Sequence, residues 1–366
     1  MHIVIDARSR PASTGRYVLF LMEHLQKLDN VNEYTILLRP DDDWRPTAEN
    51  FKAIPCSSPQ FSVSPLDQFR FAGLLYSLKP DVVHFAMTQQ PLLYFGGIVT
   101  TTHDLTMFRY TRPGRHSHLF HFIRMRLYRF LFWWSHKKSK AIIVPTNYVA
   151  EDLAKLQPFT KKKITVTYES SEPPIKGKAT PVEGVKKPFI FHTGSPFPHK
   201  NIERLIKAFE LLHESNPKLQ LVLSGKVEQY FEKLQKKIKK SPAADSIIVP
   251  GWTSYSELKW LYQNAEAYVL PSLSEGFGLP GMEAMAHGCP LVSSNATCLP
   301  EVYGDGAFFF NPTDIDDMAM KIERVITDKV FTKALVEREK EQIKKYSWER
   351  MAQQTLDVYR NVAKRK

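Results

Sequence analysis

Short apolar runs alternate with amphipathic stretches along most of this chain. In the first half, Ile3–Asp6, Tyr34–Leu38, Val82–Phe85, Ile98–Thr102 and Ala141–Pro145 read as strands, and Gly15–Leu28 and Val149–Leu156 as helices. A segment rich in Pro, Glu and Lys, Glu169–Pro188, interrupts the pattern and reads as a linker. The pattern then restarts. Strands are predicted at Phe189–His192, Gln220–Leu223, Ile247–Val249, Ala267–Leu270 and Pro290–Ser293. Helices are predicted at Asn201–His213, Ser256–Asn264, Gly281–His287 and Asp314–Thr327, with an amphipathic Ser347–Val362 at the end. Strands separated by helices imply an α/β protein with two doubly wound parallel sheets. The expected domains are residues 1–168 and 189–345, each Rossmann-like, facing across a cleft, with 169–188 between them. Sheets of this kind bind ligands beyond the carboxyl ends of their strands, so motifs at those ends carry the functional argument.

Bulk properties agree with two cores. The chain has 366 residues, 43% of them hydrophobic and 12% aromatic, too long for one ordinary domain. Three widely spaced cysteines, Cys56, Cys289 and Cys298, suggest neither a metal motif nor a disulfide framework and fit a reducing cytosol. The amino terminus begins a strand and lacks the pattern of a signal peptide. No uncharged apolar run reaches the ~18 residues of a spanning helix.

The segment from Ser272 to Gly288 is the most informative. It follows the strand Ala267–Leu270, and its glycines and Pro280 force a turn before a helix that ends at Gly288. Backbone N–H groups from Gly276, Phe277, Gly278 and Leu279, with the helix N-terminus behind them, suit an anion. Glu275 and Glu283, eight residues apart, flank that surface. Carboxylates accept hydrogen bonds from sugar hydroxyls, so one can grip a hexose and the other a ribose. Gly-Phe-Gly alone fits a tight strand-to-helix turn; the two acids and the Glu-Ala-Met-Ala run move the reading to a ligand site.

The segment resembles the Glu-x7-Glu signature of the retaining glycosyltransferases of family 4, which have the GT-B fold. The resemblance implies that Glu275 sits beside the donor sugar and that Glu283 binds the nucleotide ribose. A second segment, His192 to Asn201, resembles that family's Gly-x-x-x-Pro-Arg-Lys-Asn element, which places Ser195, His199 and Lys200 at the donor diphosphate. His199 stands where the family usually has Arg, and a histidine is neutral for much of the time near pH 7. A third, Val249 to Leu258, resembles the element that meets the nucleobase, with Gly251 and Thr253 as contacts. The closing segment 346–366 resembles the family's last helix, which crosses back to the first domain.

On the amino-terminal side, Ser13-Thr14-Gly15-Arg16-Tyr17 resembles the family's Gly-x-Gly-Arg-Tyr loop; only Gly15 keeps its glycine, and Arg16 and Tyr17 become candidates for the acceptor side. It is not a dinucleotide fingerprint. His103 and Asp104 match a His-Asp element, with His103 on the donor sugar and Asp104 orienting it or placing the acceptor. Catalytic roles therefore fall on Glu275, His103 and Lys200. The run Asp41-Asp42-Asp43 reads as a solvated loop rather than a metal site, so no metal or other cofactor is expected.

Charge is uneven. The net charge is +12, and residues 1–168 hold 22 Lys and Arg against 13 Asp and Glu. Between Leu105 and Ala150 there are nine basic residues and no acidic one. Within it, His116–Lys140 reads as a helix with a core stripe of Leu119, Ile123, Leu127, Phe130, Leu131 and Trp134. Phe122, Met125, Phe132 and Trp133 fall on the other side with Arg126 and Arg129. That face suits an anionic membrane surface, a lipid-linked acceptor or a second packing surface; nucleic acid is disfavoured because no base-stacking motif accompanies the charge.

The expectation is a cytoplasmic enzyme, peripheral on the inner membrane face, that moves a hexose with retention from GDP-mannose or a UDP-sugar to a glycan or lipid-linked hydroxyl. A nucleotide-sugar epimerase of the same fold and a non-catalytic binding module remain the alternatives.

Overall fold

The computed structural model describes residues 1–10, 14–60, 62, 64–111, 118–225 and 229–364. The chain forms two compact units. Unit one comprises Met1–Leu105, Pro113–Glu169 and Ser347–Lys366; unit two comprises Thr106–Arg112 and Ser170–Tyr346.

Unit one contains β1 (His2–Asp6), α1 (Gly15–Leu28), β2 (Glu33–Leu38), β3 (Phe51–Pro55), α2 (Pro65–Leu78), β4 (Val82–Phe85) and β5 (Ile98–Thr101). The short α3 (Thr106–Arg109) groups with unit two. Unit one continues with α4 (His118–Lys138), β6 (Ala141–Val144), α5 (Asn147–Leu156) and β7 (Ile164–Val166). Its seven strands lie in the order β3-β2-β1-β4-β5-β6-β7, all parallel. The central strands β1, β4, β5 and β6 are almost wholly buried, as expected of strands covered on both faces.

Unit two contains β8 (Phe189–Thr193), α6 (Ile202–Ser215), β9 (Gln220–Ser224), α7 (Gln229–Ile238), β10 (Ile247–Gly251), α8 (Tyr255–Asn264) and β11 (Ala267–Leu270). There follow α9 (Leu279–Ala286), β12 (Leu291–Ser294), α10 (Leu299–Tyr303), β13 (Phe308–Phe310), α11 (Ile315–Thr327) and α12 (Lys329–Ile343). The last helix, α13 (Trp348–Ala363), belongs to unit one. The six strands run β10-β9-β8-β11-β12-β13, again parallel. In each sheet the first strand lies between the second and the fourth, so chain direction across the sheet reverses beside it. Loops leaving the first and fourth strands therefore part at that point and leave room for a ligand.

Side-chain caps fix several helix starts. Ser254 and Glu257 form a reciprocal capping box at α8, and Ser347 accepts the Arg350 N–H at the start of α13, each such cap contributing about 1 kcal/mol. The α13 helix packs its buried Trp348, Met351, Leu356 and Tyr359 into unit one, with Trp348 stacked on Phe20 of α1 at 4.8 Å.

α4 departs from the sequence expectation. Leu119, Ile123, Leu127 and Phe130, read as its core stripe, are exposed, whereas Met125 and Phe132, read as the outer face, are buried. The reason is polar. Ser135, His136 and Ser139 share the buried face, because His136 pairs with Thr102 at 2.7 Å and Gln157 at 2.9 Å, and Ser139 with Thr100 at 2.7 Å. Those hydrogen bonds turn the helix so that Met125 and Phe132 follow the same stripe inward. Residues 116 and 117, which the sequence placed in this helix, lie outside the described residues.

One buried acid stands out in unit two. Glu339 of α12 is 0% exposed; its Oε1 accepts the Leu291 N–H at 2.7 Å, and Oε2 has no hydrogen-bond partner among the described residues. Burial pushes its carboxyl up to about 8 from the ordinary 4.5. The fold thus holds this proton more tightly than the unfolded chain does, so the stabilisation is complete below the unfolded value and is lost as pH rises towards the folded one. Wild-type stability should fall by up to about 1.4 kcal/mol per pH unit across that window. Urea unfolding of Glu339→Gln should lack this decline; parallel pH profiles for parent and variant would contradict it.

Candidate active site

Unit two carries its chemistry where β8 and β11 lie side by side. The loop after β8 delivers Lys200 and the loop after β11 delivers Glu275. Lys200 Nζ donates to Glu275 Oε1 at 2.7 Å, and Ser272 Oγ donates to the same oxygen at 2.6 Å. Burial pushes the Glu275 carboxyl up, but the Lys200 charge and these hydrogen bonds outweigh it and hold the group below its ordinary range. Two backbone contacts fix the acid as well: the Glu275 N–H donates to Thr297 Oγ1 at 3.1 Å, and the Cys298 thiol donates to the Glu275 carbonyl at 3.3 Å.

The loops are tied to each other. The Leu273 N–H donates to the His199 carbonyl at 2.7 Å. Asn201, in the left-handed region at φ 58°, donates from Nδ2 to the Pro271 carbonyl at 3.0 Å and the Pro312 carbonyl at 2.8 Å. The His199 ring itself is buried and stacked on Phe197. Ser195 is half-buried, and its carbonyl accepts the Phe197 N–H at 2.8 Å.

α9 begins at Leu279, two residues before the sequence expectation, and Gly278 at φ 89° precedes it. Both Gly278 and Gly281 lie under Tyr303, whose hydroxyl would stand 2.3 Å from a Cβ at either position. Its hydroxyl also donates to the Gly278 carbonyl. Gly276 is buried, and the Phe277 side chain faces the core against Tyr346 at 5.6 Å, so only backbone atoms of Phe277 are suited to a ligand. In the first turn of α9 the Leu279 N–H precedes Pro280, which has none, and the Gly281 N–H donates to the Gly278 carbonyl at 3.1 Å. Glu283, further along α9, accepts the Tyr262 hydroxyl at 3.2 Å. Tyr262 stacks on His287 at 4.7 Å. His287 donates from Nδ1 to the Glu283 carbonyl at 2.8 Å and accepts the Ile175 N–H at Nε2, at 2.9 Å.

The carboxyl ends of β8, β9 and β10 converge at glycines. A Cβ on Gly225 would stand 2.4 Å from the Gly194 carbonyl oxygen, and the Gly225 N–H donates to the Gly251 carbonyl at 2.9 Å. Thr253 is buried and pairs with Ser224 at 2.8 Å.

Unit one holds the remaining candidates. Gly15 opens α1 against the Arg10 carbonyl, which would lie only 1.7 Å from an added Cβ. Arg16 is half-buried in the same turn, and Ser13 lies outside the described residues. Tyr17 is buried, its hydroxyl paired with Thr101 at 3.0 Å and its ring against His103 at 4.9 Å. Thr101 also meets His84 at 2.7 Å, and His84 meets Tyr359 of α13 at 2.6 Å. Both His103 nitrogens face protein acceptors: Nε2 the Ala86 carbonyl at 2.9 Å, and Nδ1 Glu169 Oε1 at 3.3 Å. Burial pulls the His103 pKa down, but Glu169, the Ala86 carbonyl and Asp104 leave it above the ordinary 6.5. Asp104 itself is exposed.

Sequence reasoning missed Glu169, Ser272, Thr297 and Tyr262, each distant in the chain or ordinary in type. The run Asp41–Asp43 is engaged by arginines: Arg10 bridges Asp42 and Asp43, and Arg39 pairs with Asp41 at 2.9 Å. Among the described residues no cluster of three or more His, Cys, Asp or Glu side chains suits a metal ion. Among the described residues no helix is long and apolar enough to cross a membrane.

Two family models match in succession, Glycosyltransferase Family 4 over residues 14–169 and Glycosyl transferases group 1 over residues 177–347. The O-antigen chain mannosyltransferase B of Escherichia coli is 29% identical over 72% of this chain and 70% of its own length. Among solved structures, sucrose-phosphate synthase from Thermosynechococcus elongatus superposes over 100% of both chains at TM-score 0.78 and 17% identity. HepE of Anabaena, in complex with UDP and glucose, superposes over 98% of both chains at TM-score 0.72 and 16% identity. With both family models matched and both parallel sheets in place, the chain belongs to the family 4 glycosyltransferases and is an enzyme of the GT-B fold.

Proposed function

We propose that this enzyme transfers a hexose with retention, and without a metal ion, from a nucleoside diphosphate sugar to a glycan or lipid-linked hydroxyl. GDP-mannose is the preferred donor, with a UDP-sugar as the alternative. The observation that carries the reading is the meeting of Lys200 and Glu275 beside the N-terminus of α9. A diphosphate seated there gains the positive end of the helix and one ammonium. Lysine has three N–H donors, so Nζ can keep Glu275 while taking a phosphate oxygen. Ser195 and the amides of Gly276, Phe277, Gly278 and Leu279 add donors; Gly251 and Thr253 border the base; Glu283, steadied by Tyr262, takes the ribose.

Glu275 holds sugar hydroxyls in this scheme and does not attack. Hydrogen bonds from Lys200 and Ser272 make its oxygen a poor nucleophile, which favours departure of the diphosphate from the face the acceptor attacks. Gly15, Arg16, Tyr17, His103 and Asp104 are the candidates that unit one holds for the reaction. A mannosyltransferase among the relatives, and UDP and glucose in a structural neighbour, support the donor class.

The proposal includes a site of action. Phe122, Ile123, Phe130 and Trp133 of α4 are exposed beside Arg124, Arg126 and Arg129, and Phe95 continues the patch against Trp134 at 6.3 Å. Aromatic side chains with arginines suit the headgroup region of an anionic bilayer. The enzyme then works at the cytoplasmic face of the membrane, where a lipid-linked acceptor is presented.

Three outcomes test these points. With EDTA present, hexose transfer and nucleoside diphosphate release should persist, Lys200→Ala should lower kcat about 10²–10³-fold, and Glu283→Ala should raise the donor KM about tenfold or more. Loss of transfer on chelation, or unchanged kinetics in both variants, would remove the assignment. Unfolding measurements should show that Lys200→Met costs more than Lys200→Met with Glu275→Gln, because the single change strands a buried acid; equal costs would deny the coupling. Sedimentation with vesicles of phosphatidylglycerol should retain the enzyme at low salt, and phosphatidylcholine should not. Phe130→Ser with Trp133→Ser should release it, while retention of that variant would exclude this face.

A further inference from the structure

His103 and Glu169 face each other in a way the transfer chemistry can use. A backbone carbonyl only accepts, so the contact between Nε2 and the Ala86 oxygen places a hydrogen on Nε2. Nδ1 then faces Glu169 Oε1 at 3.3 Å. Were both the ring neutral and the acid ionised, two lone pairs would oppose each other in a buried site. A proton between them removes that repulsion, and with the ionised acid it makes the ring an imidazolium. Glu169 is 4% exposed, so water screens the pair poorly.

The groups facing His103 are few. Asp104 adjoins it in the chain and favours its charge. His84 of β4 opposes that charge, yet burial lowers its own pKa to about 3, which leaves it neutral near pH 7. Tyr17 of α1 presents its ring at 82° to the imidazole, and burial raises its phenol well above the neutral range. Glu169 is thus the buried acid in direct contact with the ring.

We propose that Glu169 is a positioning residue that holds His103 as an imidazolium with both ring N–H groups committed to protein acceptors. This rests on the proposed transfer function and deepens it. His103 then serves transfer through a fixed positive charge, not through a free ring nitrogen, and Glu169 sets the pH at which that charge is lost. Beside Asp104, its neighbour in the chain, His103 thus has a second acidic partner 66 residues away.

The test is an NMR titration of the full chain labelled in its 12 histidines, with the His103 signals assigned by their loss in His103→Gln. Wild-type His103 should show both nitrogens protonated past neutral pH. Glu169→Gln, close in shape, should lower the midpoint by about one pH unit or more, and Glu169→Asp should restore part of it. The alkaline limb of kcat/KM for hexose transfer should move down with the midpoint. An unmoved midpoint in Glu169→Gln overturns the proposal, as does a moved midpoint with an unmoved limb. A wild-type chain that transfers no hexose would refute the proposed function instead, and the midpoint would still decide the Glu169–His103 pairing.

Discussion

Lys200 and Glu275 meet at 2.7 Å in a nearly buried setting, with side chains 17% and 13% exposed, and much of the surrounding architecture serves to hold them there. Neither charge is tolerable alone at such a place, since an unpaired buried ion costs several kcal/mol. The sheet order makes the pairing possible by setting β8 beside β11. Asn201 and the His199 carbonyl then join the two loops, so that lysine and acid cannot drift apart independently. A site already neutral in the absence of ligand can receive a diphosphate with little rearrangement, because fixed donors need no reorganisation when charge arrives.

Unit one is organised on a different principle. Its interior carries hydrogen-bonded polar side chains where an apolar core would be simpler: Tyr17, Thr101, His84 and Tyr359 form one chain, and Thr102, His136 and Gln157 another. Buried networks of this kind stabilise only when every member is satisfied, and they then fix one arrangement. The first joins α1, β4, β5 and α13, so the closing helix helps to hold the tyrosine that packs on His103. The second sets the rotation of α4 and, with it, which aromatic residues reach the surface.

The sequence was most legible where burial is symmetric. β4 and β11 were located to the residue, as was α1, because an uninterrupted apolar run or a clean amphipathic stripe leaves little choice. The strands that escaped notice, β3, β7 and β13, are edges of the two sheets, short and partly exposed, so their apolar signal is diluted. α12 was missed because its buried positions include Glu339 and Gln342. On α4 the rule that apolar means inside chose the wrong face, since serine and histidine occupy the inner one. Within the candidate site, Glu275, Glu283 and Lys200 were visible through local motifs. Their partners Tyr262 and Thr297, and the Glu169 that faces His103, were not, because contacts between distant segments leave no local pattern; Ser272, in the same loop as Glu275, is too ordinary a residue there to stand out.

The central claim is that a diphosphate is seated by Lys200 and the first turn of α9, with no metal between them. Calorimetric titration of the full chain in EDTA with GDP, GMP, UDP and UMP tests it most directly. The account predicts that one diphosphate binds at least tenfold more tightly than its monophosphate, about 1.4 kcal/mol, and that Lys200→Met erases the difference. Equal affinity for mono- and diphosphates in the wild type, or a preference that survives Lys200→Met, would contradict it.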